Sequence, residues 1–272
     1  MGIFNAAITR LFDLIFAPSA LSPWLGMVVI SLLTGFVLLL VFRYTSNQRG
    51  IRAAKNRIIS HLLEVLLYRD ELRVVLRAQA RLLRDNLRYL GYALVPLIFM
   101  ILPVLLLLIQ ADLRYGHRPL QVGEQAIVAV KLLPDGARPD EVSISAPAGL
   151  AVETPALRMP AAQEVDWRVR AVAPGRHQLR ISVGEREFAK SIVVGGRGGR
   201  VSTRRIGVGL WQQLLHPGEP PLPGDGPVAS IAVEHPRATL GFFRRRVHWI
   251  WPWLVLSMIF GYAFKGPLRI QV

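Results

Sequence analysis

The chain has 272 residues, 52% of them hydrophobic, with 33 Lys and Arg against 18 Asp and Glu and no cysteine. Without cysteine there are no disulfides, no thiol catalysis and no thiolate-bound metals. In a soluble chain a net charge of +15 would point to nucleic acid. Here much of the excess sits beside long apolar runs, where basic residues contact anionic headgroups, so the expected partner is the lipid bilayer and not DNA.

Residues 1–23 open with Phe4, Ile8, Leu11, Phe12 and Ile15 at helical spacing, opposite Asn5, Thr9, Arg10 and Asp13. That pattern predicts an amphipathic helix lying in the membrane interface. A signal peptide is the alternative, but a basic n-region and a small-residue cleavage site are missing. Pro18 and Pro23 close the segment.

A first membrane span is expected over residues 24–43, because Trp24–Phe42 carries no charge before Arg43. At helical rise that run covers roughly 28 Å, close to the thickness of a hydrocarbon core. A second span is expected over 90–110, where Pro96 and Pro103 are tolerated if neighbouring groups satisfy the freed carbonyls. A third is expected over 247–264, with Trp249, Trp251 and Trp253 crowding one end and Tyr262 near the other, as interfacial belts require.

Residues 44–89 lie between the first two spans. With Arg43 they contain eleven Lys or Arg and four acids, which places them in the cytoplasm. The N-terminus and residues 111–246 are then outside, and the tail 265–272 is inside. Arg244, Arg245 and Arg246 fall on the outer flank of the third span, which a long translocated domain permits. From Ile51 to Leu90 there is neither Pro nor Gly. Apolar stripes at Ile58, Ile59, Leu62, Leu63, Leu66 and Leu67, and at Leu72, Val75, Leu76, Leu82 and Leu83, predict two helices. A turn near Tyr68–Glu71, capped by Asp70, would fold them into an antiparallel hairpin whose stripes bury each other. Its exposed Arg69, Arg73, Arg77 and Arg81 suit either anionic lipid or a cytoplasmic partner such as a ribosome or nascent chain.

After Gln110 the period changes to two. Ile127, Val128 and Val130, then Val142 and Ile144, then Trp167, Val169 and Ala171 alternating with Arg168 and Arg170, read as half-buried strands. Leu179, Ile181 and Val183 form another, Phe188 to Val194 a further one, and Ser230–Glu234 a possible return to the sheet, with turns at Ala173-Pro174-Gly175 and Gly184. The expected fold is an all-β sandwich of immunoglobulin-like size on the periplasmic side. Residues 195–228 read as an irregular connection with one short helix near Leu210–Leu215.

The sequence shows no catalytic constellation. The six histidines have no metal-ligand spacing, there is no nucleophile elbow, and the glycines from 195 to 199 lack the Lys-Ser/Thr of a phosphate loop. The chain is therefore read as a non-enzyme with no cofactor and no metal. Within the spans the polar residues are Ser31, Thr34 and Ser257, with Arg43 and Arg88 at the cytoplasmic ends. The two arginines either snorkel to the interface or line, with the three hydroxyls, a wet groove facing the cytoplasm.

The order of interfacial helix, span, basic hairpin and two more spans resembles the core of the YidC/Oxa-type membrane insertase superfamily over residues 1–110 and 247–272. Thr45-Ser46-Asn47-Gln48, leading into Ile51–Lys55, sits where those relatives begin their coiled hairpin. The resemblance implies a lateral hydrophilic groove with a basic residue, mapped to Arg43 first and Arg88 second, that admits nascent membrane proteins. The chain departs from that family in carrying residues 111–246 between its second and third spans. Two functions are thus expected of an inner-membrane protein from a GC-rich bacterium. One is an insertase or chaperone working through the groove. The other is a non-catalytic scaffold of an envelope complex, binding an envelope protein through its β domain.

Overall fold

The computed structural model describes residues 2–17, 22–67, 71–134, 136–196, 199–207, 209–242 and 245–268. They divide into two compact units, Met1–Val29 with Leu108–Pro252, and Ile30–Leu107 with Trp253–Val272.

Continuous runs of good helix formers give four helices before any strand. These are α1 (Gly2–Ile15), α2 (Pro23–Thr45), α3 (Gln48–Leu67) and α4 (Leu72–Tyr115). Two of them, α2 and α4, are long and apolar enough to cross a membrane. The expected boundary at residue 90 is absent. Hairpin arm and span are one helix of 44 residues, with Pro96 and Pro103 inside it.

Within the second unit, α3 and the first half of α4 run antiparallel. Asn47 caps α3, its side-chain oxygen accepting the Gly50 N–H at 2.9 Å, which satisfies one of the orphan donors of the first turn. The contacts between the arms overturn the expected leucine-to-leucine packing. Ile51, Ala54, Ala78 and Asp85 are buried in the two arms, among the described residues. Asp85 takes His61 Nε2 at 3.3 Å and Arg57 at 3.8 Å, and Glu64 takes Arg81 at 3.7 Å. Small side chains let the helices approach and an acid–base cluster fills the gap, so the leucines turn outward. Leu62, Leu66, Leu67, Leu76 and Leu83 are all exposed. Residues 68–70 of the turn expected at Tyr68–Glu71, with the Asp70 cap and Arg69, lie outside the described residues.

In the first unit, the period-two stretches form the strands expected of them, all antiparallel. A six-stranded sheet runs β3 (Leu150–Val152), β5 (Glu164–Ala171), β1 (Gln125–Leu132), β9 (Val228–Val233), β8 (Arg204–Ile206), with β4 (Leu157–Met159) also paired to β5. A three-stranded sheet runs β2 (Val142–Ser145), β6 (Gly175–Val183), β7 (Arg186–Val194). The inward residues of both sheets, among them Val128, Val130, Trp167, Ile181, Ile192 and Ile231, form one core, as in a β-sandwich. Arg168 and Arg170 point outward from β5 as the alternation requires. Gly184, with φ +58°, makes the tight β6–β7 turn that L side chains disfavour. The helix α5 (Leu210–Leu215) stands where it was read, but β8 interrupts what looked like an irregular connection.

The last helix begins later than expected. Val247 ends β11 (Arg245–Val247), which pairs with β10 (Leu240–Phe242), and α6 is Ile250–Lys265. Arg245 and Arg246 are therefore strand residues, while Arg244 lies outside the described residues. At 16 residues α6 covers roughly 24 Å, shorter than a hydrocarbon core of about 30 Å.

Candidate functional site

The three polar span residues expected in a groove are buried instead. Ser31, Thr34 and Ser257 are each buried in the second unit. The Thr34 hydroxyl donates to the Ile30 carbonyl at 2.6 Å and accepts from Trp253 Nε1 at 3.2 Å. The Ser257 hydroxyl donates to the Leu254 carbonyl at 2.9 Å. Between them Gly35 lies so close to α6 that an added Cβ would stand 2.8 Å from the Ser257 carbonyl oxygen. Ser31 and Gly35 on α2, and Ser257 and Gly261 on α6, are each four residues apart and so share a helix face. Small residues at that spacing bring apolar helices into backbone contact.

The basic candidates are scattered. Arg43 is exposed, with its guanidinium 5.9 Å from the Tyr44 ring. Arg88 is exposed and 3.5 Å from Asp85. Arg73 and Arg77 are exposed, and Arg81 reaches back to Glu64. The structure does not gather Arg43 and Arg88 with the three hydroxyls.

A concave, charged site occurs in the first unit. Its foundation is a buried ion pair. Lys190, fully enclosed on β7, reaches Glu219 at 2.6 Å and the Ser202 carbonyl at 2.7 Å. Glu219 also accepts the Ser191 N–H at 2.7 Å and the Ser202 hydroxyl at 3.2 Å. Burial pushes the lysine below its usual range while Glu219 holds it up. Both oxygens of the carboxylate are engaged, which pins the loop around Pro217–Pro221 to the edge of β7. Lys190 and the Ser202 hydroxyl are 3.4 Å apart, but a lysine held by a carboxylate is a poor base for a nucleophilic serine.

Over this loop opens a cavity of about 480 Å³, lined by Arg10 of α1, Arg176 and Gln178 of β6, Arg200, His216 and Glu219. The helix α1 is fixed at its rim. Arg114 donates to Asp13 at 2.5 Å and to Gln110 at 3.0 Å, and its guanidinium lies 4.7 Å from the Phe16 ring. Gln110 in turn donates to the Thr9 hydroxyl at 3.3 Å. Thr9 is thus buried together with Phe12 while Leu11 is exposed, so the buried face is rotated from the one expected from periodicity. Arg200 pairs with Asp13 at 3.6 Å. Arg10 and Arg176 have no ion-pair partner among the described residues. Burial and nearby Arg204 push His216 below its ordinary pKa, so it adds a neutral ring. With Glu219 already neutralised by Lys190, the cavity is net basic.

Comparison with known families, characterised proteins and solved structures finds no match.

The site therefore stands on its own geometry. Arginines with unused donors around a concave surface suit a carboxylate or phosphate. A second depression, of about 740 Å³, is lined by the Leu133–Pro134, Gly184–Arg186 and Gly224–Pro227 turns. There Arg186 is paired with Asp225 at 3.1 Å, and Glu141 and Glu185 leave the depression acidic and unsuited to an anion. Sequence reading missed Arg10, Arg176 and Arg200 as a group because they come from three distant segments. The pairing of β6 with β7 and the docking of α1 bring them together.

Proposed function

We propose that this protein is a non-catalytic scaffold of a bacterial inner membrane, whose periplasmic, immunoglobulin-like β domain binds an acidic segment of an envelope protein at Arg10, Arg176 and Arg200. In this reading α2, α4 and α6 are three anchoring spans, with the N-terminus outside and the α3–α4 hairpin in the cytoplasm. The observation that carries it is the burial of Thr34 and Ser257 in the α2–α6 seam. Residues that a client groove needs in contact with water are buried, with Thr34 bonded across to Trp253 and Ser257 bonded within α6. The basic cavity, with arginines that have no ion-pair partner among the described residues, suits an acidic segment.

The insertase-like reading retains one support, the exposed Arg73 and Arg77 on the cytoplasmic arm, which suit a ribosome or a nascent chain. Photocrosslinking in native membranes separates the two, with probes replacing Arg43, Arg77 and Arg176. Crosslinks from the Arg176 position to one discrete envelope protein support the scaffold. Crosslinks from the Arg43 and Arg77 positions to nascent chains or ribosomal proteins, with none from Arg176, overturn it in favour of the insertase.

A further inference from the structure

One edge of the three-stranded sheet is open beside the basic cavity. β6 is nine residues long, but β2 covers only part of its outer edge, from Val142 opposite Val183 to Ser145 opposite Arg180. On that side the Gly184 N–H bonds to the Glu141 carbonyl. By the alternation of an antiparallel ladder, the N–H and C=O groups of the even-numbered residues of β6 therefore point the same way. Those of Ser182 and Arg180 meet β2. Those of Gln178 and Arg176 find no hydrogen-bond partner among the described residues, and both residues are exposed.

The gap has a cause in the sequence. In the register of β2 the residue facing Gln178 would be Pro147, which has no N–H to give. The chain turns away there. The Leu150 N–H reaches back to the Pro147 carbonyl at 2.9 Å, and the Gly149 carbonyl accepts the Val172 N–H at 2.9 Å as the chain enters the other sheet.

An edge with unpaired donors and acceptors is a template for another strand, and this one is charged. Alternation puts Arg176, Gln178 and Arg180 on the outer face of β6, about 7 Å apart in succession. Arg176 shares its cavity with Arg10 and Arg200. Neither Arg176 nor Arg180 has an ion-pair partner among the described residues. Toward the other end of β6 the sheet becomes acidic, with Glu187 opposite Ser182 and Glu185 in the turn. The open stretch and the basic stretch of the strand coincide.

We propose that the acidic partner segment binds as an added β-strand on the edge of β6, antiparallel to it and in line with β2. This rests on the acidic-segment reading above and specifies its form. Two residues of the segment, two positions apart, exchange both backbone hydrogen bonds with Gln178 and with Arg176. Their side chains lie on the arginine face. The first is diagonal to Arg176 and Arg180, and the second is directly opposite Arg176. The segment that fits therefore carries Asp or Glu at alternate positions. Only a polypeptide presents N–H and C=O groups at this repeat, which sets it apart from a lipid headgroup or a free phosphate. A second copy of β6 would bring its own Arg176 and Arg180 to the ladder, where like charges are unfavourable.

Fluorescein-labelled peptides of alternating Glu and Thr test this by anisotropy against the full chain in detergent. Two further peptides keep the charge, one N-methylated at every Glu and one at every Thr. In the proposed pairing the Glu amides face β6 and the Thr amides face away. Methylation at Glu should weaken binding about ten-fold or more, the loss expected when two backbone hydrogen bonds go, and methylation at Thr less than about three-fold. Arg180→Glu, an exposed position outside the cavity, should weaken the unmethylated peptide about five-fold or more, since it sets a like charge beside the segment. Equal binding of the three peptides, or an unchanged affinity in Arg180→Glu, overturns strand addition and leaves the acidic-segment reading standing. No binding of the unmethylated peptide overturns both. A chain that is dimeric by mass photometry and dispersed by the peptide would place a second copy on the edge, which also overturns the proposal.

Discussion

Gly35 and Gly261 meet at backbone distance: a Cβ on Gly35 would lie 2.9 Å from the Gly261 amide nitrogen and 2.8 Å from the Ser257 carbonyl oxygen. Both obstacles are main chain, so a larger residue cannot be accommodated by rotating a side chain. Gly35→Leu should force α2 from α6 and destabilise the fold by about 1–3 kcal/mol, the usual range for overpacking. Thr34→Val, which removes the hydroxyl that accepts from Trp253 Nε1, should cost about 0.5–1.5 kcal/mol, the net worth of one hydrogen bond. Thermal melts in detergent check both, and a Gly35→Leu chain melting with the wild type would refute the seam.

Lys190 and Glu219 predict an asymmetry between single and double substitutions. Glu219→Ala leaves an enclosed ammonium without its counter-charge, which typically costs about 3–5 kcal/mol. It also releases the Ser191 N–H and Ser202 hydroxyl bonded to the carboxylate. Lys190→Met combined with Glu219→Leu should be the more stable chain, because no buried charge is left over. Chemical denaturation of these two variants beside the unsubstituted chain decides it. If the double variant is no better than Glu219→Ala, desolvation is not the dominant cost.

These contacts mark what was legible in the sequence. Long alternating strands were readable because Arg168 and Arg170 interleave with Trp167, Val169 and Ala171. β3, β4, β8, β10 and β11 have three residues each, too few for alternation to register. The hairpin was misread for a physical reason. Its leucines outweigh everything else in hydropathy, but close approach is governed by the small Ala54 and Ala78, and the remaining space by Asp85 and His61. Ser31, Thr34 and Ser257 looked like groove residues because they are polar. Their spacing from Gly35 and Gly261 was the available signal that they pack helices.

The β domain should lose stability in acid through two groups acting in successive windows. His235 is buried, its Nδ1 3.1 Å from the Val233 carbonyl, and burial pushes its pKa down to about 4. Between the ordinary histidine value near 6.5 and about 4 the unfolded chain binds a proton that the folded one refuses, so stability falls as pH falls. The full loss is at most about 3 kcal/mol at ~1.4 kcal/mol per pH unit. Glu124 follows. Arg118 grips both its oxygens at 2.7 Å and holds its carboxyl down to about 2. Its contribution is present above the unfolded carboxylate range and disappears as pH drops toward 2. Melting temperature against pH should therefore decline from 6.5 downward, and His235→Gln should flatten the upper part of that decline alone. A flat wild-type profile between pH 6.5 and 4 would remove the histidine account.

Asp166 acts in the opposite direction. It projects from β5 with Glu164 and Glu234 nearby, and one carboxylate oxygen is buried without a hydrogen-bond partner. Burial first, and then the two like charges, raise its pKa, so the folded state holds a proton more readily than the unfolded one. Stability from this group is present at low pH and lost as pH rises through the raised value. At neutral pH the ionised side chain is a net cost, which makes Asp166→Asn a stabilising substitution there. The amide keeps the shape, removes the repulsion with Glu164 and Glu234, and can donate to either. The gain in melting temperature should be largest at pH 7 and shrink as the wild-type carboxyl becomes protonated. A loss of stability at pH 7, or a gain that does not change with pH, would show that the Asp166 carboxylate is not opposed by its neighbours.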